Sequence, residues 1–251
     1  MYKSVLVFAS ADARVLDRLY ADLPNWQLIP LLDGPDCPPR PVCRYDPTSV
    51  NFLVTDTAAV SDYAARGGDA ETRPNLHGMT FDAHVPDGGE EVARIYNTYS
   101  YSAYSYWDYD PDSNRYYRYQ DTQEAVGSRS EAYEPLVDRL TGEQVAADNV
   151  VILYIPHFHV AYTPPTDTEP FVEVVDMDFS GHALAYAFRD GRVYQLEWVR
   201  EEGEVLYLID ANGEHFPLKP GTTWYQVHND DSRLTTGEGA WHFEFIFRRP
   251  N

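Results

Sequence analysis

The chain has almost no lysine: Lys3 and Lys219 are its only two, and 19 basic residues face 40 acidic ones, for a formal charge of −21 over 251 residues. A field of that sign repels a phosphate backbone and an anionic membrane surface alike, so no nucleic-acid partner is expected. Long apolar runs are missing too. No stretch approaches the length of a membrane span, and the opening "MYKSVLVFASADARV" holds an apolar run too short, and too closely followed by charges, for a signal peptide. There is no GxGxxG, no phosphate loop and no GxSxG elbow, so neither a nucleotide cofactor nor a serine-elbow hydrolase is indicated. Cysteine is limited to Cys37 and Cys43 in "CPPRPVC", without the CxxC spacing of a metal or redox site. A disulfide between them would contribute roughly 2 kcal/mol by closing the short loop and would imply an oxidising compartment; two free thiols are the alternative.

What the chain has in excess is tyrosine, 20 residues, within an aromatic share of 14%. Many short aromatic strands account for such a share. The length suits two domains. Up to residue 80 the pattern is α/β: a strand in "SVLVFA", a helix opened by Ser10 with Val15, Leu16, Leu19, Tyr20 and Leu23 at helical spacing, and a strand in "WQLIPLL". A Pro-rich loop, a strand in "VNFLV" and a helix capped by Thr55 or Asp56 follow. From residue 81 to 251 the pattern is β, with hairpins expected at Asp190-Gly191 and Asn212-Gly213, whose residues tolerate positive φ. "AWHFEFIF" is an extra C-terminal strand that closes the sheet or covers an edge. The fold class expected is α+β, a partial α/β N-terminal domain (1–80) followed by an antiparallel β domain of hairpins (81–251).

The stretches "YWDYDPDSNRYYRY", "LTGEQVAADNVVILY", "SGHALAYAFRDGRVYQLEW" and "DANGEHFPLKPGTTWYQV" resemble, in order, the C-terminal domain of the YerB-like lipoprotein family, whose function is unknown. More weakly, "YKSVLVFASADARVLDRL" and "NFLVTDT" resemble the end of that family's N-terminal domain. The family's lipid-attached cysteine and the opening of its first domain are absent, and "GSRSEAYEP" looks like an insertion. Without that opening, strand "SVLVFA" has no obvious neighbours, which predicts an internal start at Met1 or a partner chain or second copy that supplies the missing sheet. The resemblance implies an extracytoplasmic, cell-envelope location and supplies no catalytic residues.

Three groups of residues invite a chemical reading. In "YNTYSYSAYSYWDYD" tyrosine and serine together resemble the composition of recognition surfaces, where rigid aromatic area is gained at low entropic cost. Tyr99, Tyr101, Tyr104, Tyr106 and Trp107 are the candidate ligand-binding residues, against the plainer reading of strand packing. The tyrosine spacing fits no single face of one straight strand, so a bulge or turn near Ser102 and Ala103 is expected to divide them, with Tyr104 and Tyr106 on one face after it and Trp107 and Tyr109 on the other. Asp108, Asp110, Asp112 and Asn114 alternate as in a calcium loop, but Ser113 and Tyr119 stand where that loop needs glycine and glutamate, and a hairpin turn explains them equally. His157 and His159 share one strand face and could hold zinc with His182, Asp176 or Asp178. No cofactor is expected, with calcium as the one candidate. The function expected is a non-catalytic, envelope-associated binding or scaffold protein with an unknown protein or glycan partner; the alternative is a hydrolase acting on envelope carbohydrate or peptide through Asp and His groups.

Overall fold

In a computed structural model of the chain, the described residues are 5–8, 11, 13–23, 28–30, 41–44, 53–66, 78–123, 131–163, 172–201, 204–246 and 248. The fold is β-rich, and the chain forms two compact units, Met1–Leu76 and His77–Asn251. Among the described residues no helix is long and apolar enough to cross a membrane.

The first unit runs β1 (Leu6–Phe8), α1 (Ala13–Asp22), β2 (Leu28–Pro30), β3 (Val42–Arg44), β4 (Leu53–Thr55) and α2 (Thr57–Arg66). Helix α2 begins where it does because the Asp56 carboxylate accepts the Ala59 N–H at 2.9 Å, satisfying one of the donors that a helix start leaves unpaired. Strand β1 pairs in parallel with β2, Leu6 opposite Leu28, so it has a neighbour that sequence reading did not assign. Strand β3 was not expected either; three residues are too few to show an alternating pattern, and its partner β4 supplies the context. Cys37 lies outside the described residues, and with it the choice between a Cys37–Cys43 disulfide and two free thiols.

The second unit contains β5 (Thr80–Phe81), β6 (Glu90–Glu91), β7 (Arg94–Ser100), β8 (Ala103–Asp110), β9 (Arg115–Asp121), β10 (Tyr133–Pro135), β11 (Ala146–Ala147), β12 (Asn149–Tyr154), β13 (His157–Thr163), β14 (Val172–Met177), β15 (Gly181–Arg189), β16 (Arg192–Arg200), β17 (Tyr207–Ile209), β18 (Pro217–Leu218), β19 (Thr223–His228), β20 (Arg233–Gly237) and β21 (Ala240–Glu244). One sheet has the order β10-β9-β8-β7-β21-β20, with β11 also on β9; a second has β17-β16-β15-β12-β19, with β6 on β16. Strands β13 and β14 form a hairpin of their own.

The expected hairpin at Asp190-Gly191 joins β15 to β16, both turn residues at positive φ (52° and 70°). At Asn212-Gly213 the turn forms but the hairpin is minimal: beyond it only Ile209 and His215 bridge, and the Asp210 carboxylate holds the loop through the N–H groups of Asn212 and Glu214. The expectation of a wholly antiparallel domain is corrected. β12 runs parallel to β19, and β21 parallel to β7, so both sheets are mixed. These pairs join segments far apart in sequence, which local turn signals cannot reveal. The tail strand β21 lies inside the first sheet, and β20 takes the edge.

Two cores share the second sheet. Every residue of β12 is buried. Val150 and Ile152 face the first sheet and pack with Ile95, Trp107, Tyr116, Phe188 and Phe243; Val151 and Leu153 face the other way, with Trp198, Leu206 and Phe216. A buried charged knot ties the loops at one end. Arg189, fully buried, donates from Nε to Asp190 at 2.8 Å and from its two Nη atoms to the carbonyls of Pro217 and His84 at 2.9 Å. Lys219 pairs with Asp190 at 3.5 Å and donates to the Asn114 carbonyl at 2.6 Å. A buried guanidinium is tolerated because its donors are met in this way.

Candidate functional site

Side chains alternate across a strand, so the register of β7, β8, β9 and β21 divides the tyrosine-rich stretch between two faces. Ile95 opposes Trp107, Trp107 opposes Arg118, Tyr109 opposes Tyr116, and Trp241 opposes Ile95; these residues face the core. Tyr96 opposes Tyr106, Tyr106 opposes Tyr119, and His242 opposes Tyr96; these point away from it.

The outward residues form a column of rings across four strands. Tyr119 and Tyr106 stack at 4.5 Å between centroids, Tyr106 and Tyr96 lie tilted at 5.3 Å, and Tyr96 stacks on His242 at 4.2 Å. Arg94 sets its guanidinium 4.9 Å from the Tyr106 ring and donates from Nε to Asp108 at 2.9 Å, which fixes a cation and a carboxylate beside the column. Tyr133 packs edge-on against Tyr106 and Tyr104 from β10. Burial and the neighbouring Glu131, to which its hydroxyl donates, push the Tyr133 phenol up.

Two hollows flank His242 on this face. One, of about 600 Å³, is bordered by Arg94, Tyr96, Asp108, Thr235, Gly237 and His242. The other, of about 510 Å³, is bordered by Thr98, Tyr99, Tyr101, Tyr104, His242 and Glu244. His242 is exposed and forms a wall of both.

The five candidate ligand-binding residues do not share one surface. The turn at Tyr101-Ser102 divides them as expected from their spacing, with a register shift between Thr98 and Ser100. Trp107 is fully buried, its indole N–H donated to Gln226 at 2.9 Å, and belongs to the core. Tyr104 is 2% exposed, held under the chain by a hydroxyl that donates to the Gln123 carbonyl at 2.7 Å and accepts the Ala132 N–H at 3.1 Å. Tyr106 stands in the outer column. Tyr99 stacks on the buried His228 at 4.9 Å, and Tyr101 is 62% exposed at the turn.

The acidic stretch forms a turn. Asp110 accepts the Asp112 N–H with one oxygen and the Ser113 N–H and hydroxyl with the other; these bonds, the Ser113 hydroxyl first, hold its carboxyl below the usual range. Asn114 adopts φ 55° and accepts the Tyr109 hydroxyl at 2.8 Å, while Asp108 is committed to Arg94. The histidines go to separate partners: His157 Nδ1 to the Ile155 carbonyl at 2.7 Å, His159 to Glu173 at 2.9 Å, and His182 to Glu197 at 2.6 Å. Asp178 accepts the Ser180 N–H and hydroxyl, and the Asp176 carboxylate accepts the Met177 N–H. Among the described residues no three His, Cys, Asp or Glu side chains converge on a common point.

Sequence reading missed His242, Thr235 and Tyr133 as parts of this face, and it left Arg94 and Tyr119 without that role. The signal for the first two was "TGEGA", where Glu238 (φ 49°) and Gly239 (φ 74°) make the tight turn that brings β20 beside β21. Tyr133 carried no such signal, since its place depends on pairing with β9.

A protein-family model described as the C-terminal domain of a protein of unknown function (DUF3048) matches residues 95–225. The crystal structure of the YerB protein from Bacillus subtilis superposes with a TM-score of 0.62 at 18% identity, covering 91% of this chain and 69% of that one, which is a likeness of fold. No curated protein matches. The hairpin β20–β21, with Thr235 and His242, lies beyond the stretch matched by the family model.

Proposed function

The chain belongs to the DUF3048 family of proteins of unknown function, through that family's C-terminal domain, and from this premise we propose that it is a non-catalytic, envelope-associated binding protein of the YerB kind. In this reading the first unit is a partial α/β domain, and the outer face of the first sheet of the second unit meets a protein or glycan partner outside the cytoplasm. The observation that carries it is the ring column Tyr119, Tyr106, Tyr96 and His242, built on the side of the sheet away from the core and flanked by two hollows. Aromatic side chains with polar tips supply large contact area at low entropic cost, and this column stands on the face of the sheet away from the core. The extracytoplasmic location rests on the family resemblance.

Peptide and glycan arrays probed with the chain and with Tyr106→Ser test this reading. Spots bound by the parent and lost in the folded variant support it. No spot on either array, or spots unchanged by the substitution, overturns it.

A further inference from the structure

Resting on that reading of the outer face, we infer that the groove beside His242 takes a pyranose ring of an uncharged oligosaccharide. The ring column explains why a ring fits there. Within it, Tyr106 is flanked by Tyr119 and Tyr96, and Tyr96 by Tyr106 and His242. His242 has Tyr96 on one side only. On its other side the cross-strand neighbour is Thr235, and the next pair along is Gly237 with Ala240. These small side chains leave the 600 Å³ groove where the column would otherwise continue, a volume within the range of small-ligand sites, about 300 to 1,000 Å³.

The polar groups around that space narrow the ligand. Arg94 and Asp108, each a little over a third exposed, meet through one carboxylate oxygen, and Thr235, opposite His242, borders the same space. A site of this kind suits a ring with an apolar C–H face and a rim of hydroxyls that both donate and accept, which describes a pyranose. A nucleotide brings phosphates into a field of −21, and an acidic polysaccharide brings carboxylates next to Asp108 and Glu238. Because His242 also walls the second hollow, a short linear oligosaccharide running along β21, from Ala240 towards Glu244, would touch both.

Amide NMR of the full chain, titrated with the neutral trisaccharides of glucose, N-acetylglucosamine, mannose and xylose, tests the inference. At least one should shift the amides of Thr235, Gly237 and His242, with a Kd on the order of millimolar or tighter. His242→Ala should weaken that binding about tenfold, and Thr235→Trp, which fills the groove, should abolish it; both positions are exposed, so Tm should stay put in each. Shifts confined to residues far from the groove, or no response up to the order of 10 mM sugar, overturn it. If the peptide array carries spots that depend on Tyr106 while no trisaccharide binds, the oligosaccharide inference falls and the binding reading stands. If both are silent, both fall.

Discussion

Tyr106 and Trp107 are neighbours in sequence with opposite surroundings. Trp107 has no exposed surface, donates to Gln226, meets Trp224 edge-on at 5.3 Å and carries the Arg118 guanidinium 5.2 Å from its ring. Tyr106 lies half-buried between two other tyrosines, with Arg94 above it and Tyr133 edge-on beside it, on the face of the sheet away from the core. The same aromatic-rich stretch therefore builds a core on one side and a patterned surface on the other. The pleat, rather than the composition, decides which tyrosines are available to a partner.

Substitutions on the two faces should separate sharply. The largest effect is expected at Trp107→Ala, which removes a fully buried ring and takes the indole donor from Gln226 Oε1; a loss of about 3–5 kcal/mol should appear as a lower urea midpoint or as failure to fold. Next comes acid sensitivity on the core side. Burial, with His157 adding to it, pushes His228 down to about 4, whereas an unfolded histidine titrates near 6.5. Between those values the unfolded chain binds the extra proton, so stability falls as pH drops through that window, by about 3 kcal/mol once below it. Urea midpoints at neutral and acid pH should show this slope in the parent and a shallower one in His228→Gln; equal slopes would remove His228 as the cause.

On the outer face the effects shrink. Tyr104→Phe keeps the ring but drops the hydroxyl that bonds Gln123 and Ala132, for about 1 kcal/mol in the same assay. Tyr101→Ser, at an exposed turn, should stay within about 0.5 kcal/mol of the parent. A Tyr101 effect as large as that of Tyr104 would mean that the division into covered and free tyrosines is misplaced.

Much of this division was legible beforehand. The spacing of the tyrosines required a turn near Ser102, and alternation then placed Tyr104 and Tyr106 on one face and Trp107 and Tyr109 on the other, as the register has them. Which face is the core was not legible, because both carry aromatics. That is settled by β12 and β15, which lie in a different sheet, and by Trp241 and Phe243 from a parallel strand at the far end of the chain. Tyr104 shows the limit most plainly: it points outward, yet β10 and the chain near Ala132 cover it. The aspartates near the "DPDSN" turn read alike as ligands or as turn formers until Asp110 was seen holding Ser113 and Asp108 holding Arg94. The histidines of β13 had partners on β14 or in the backbone that only pairing could disclose.

The most direct measurement pairs folding with binding in one variant, Tyr96→Ser combined with Tyr106→Ser. The account predicts a cooperative urea transition within about 3 kcal/mol of the parent, summing two half-buried ring losses, together with loss of the array spots bound by the parent. A double variant that unfolds outright would make the outer column packing after all. One that folds and binds undiminished would place recognition elsewhere on the molecule.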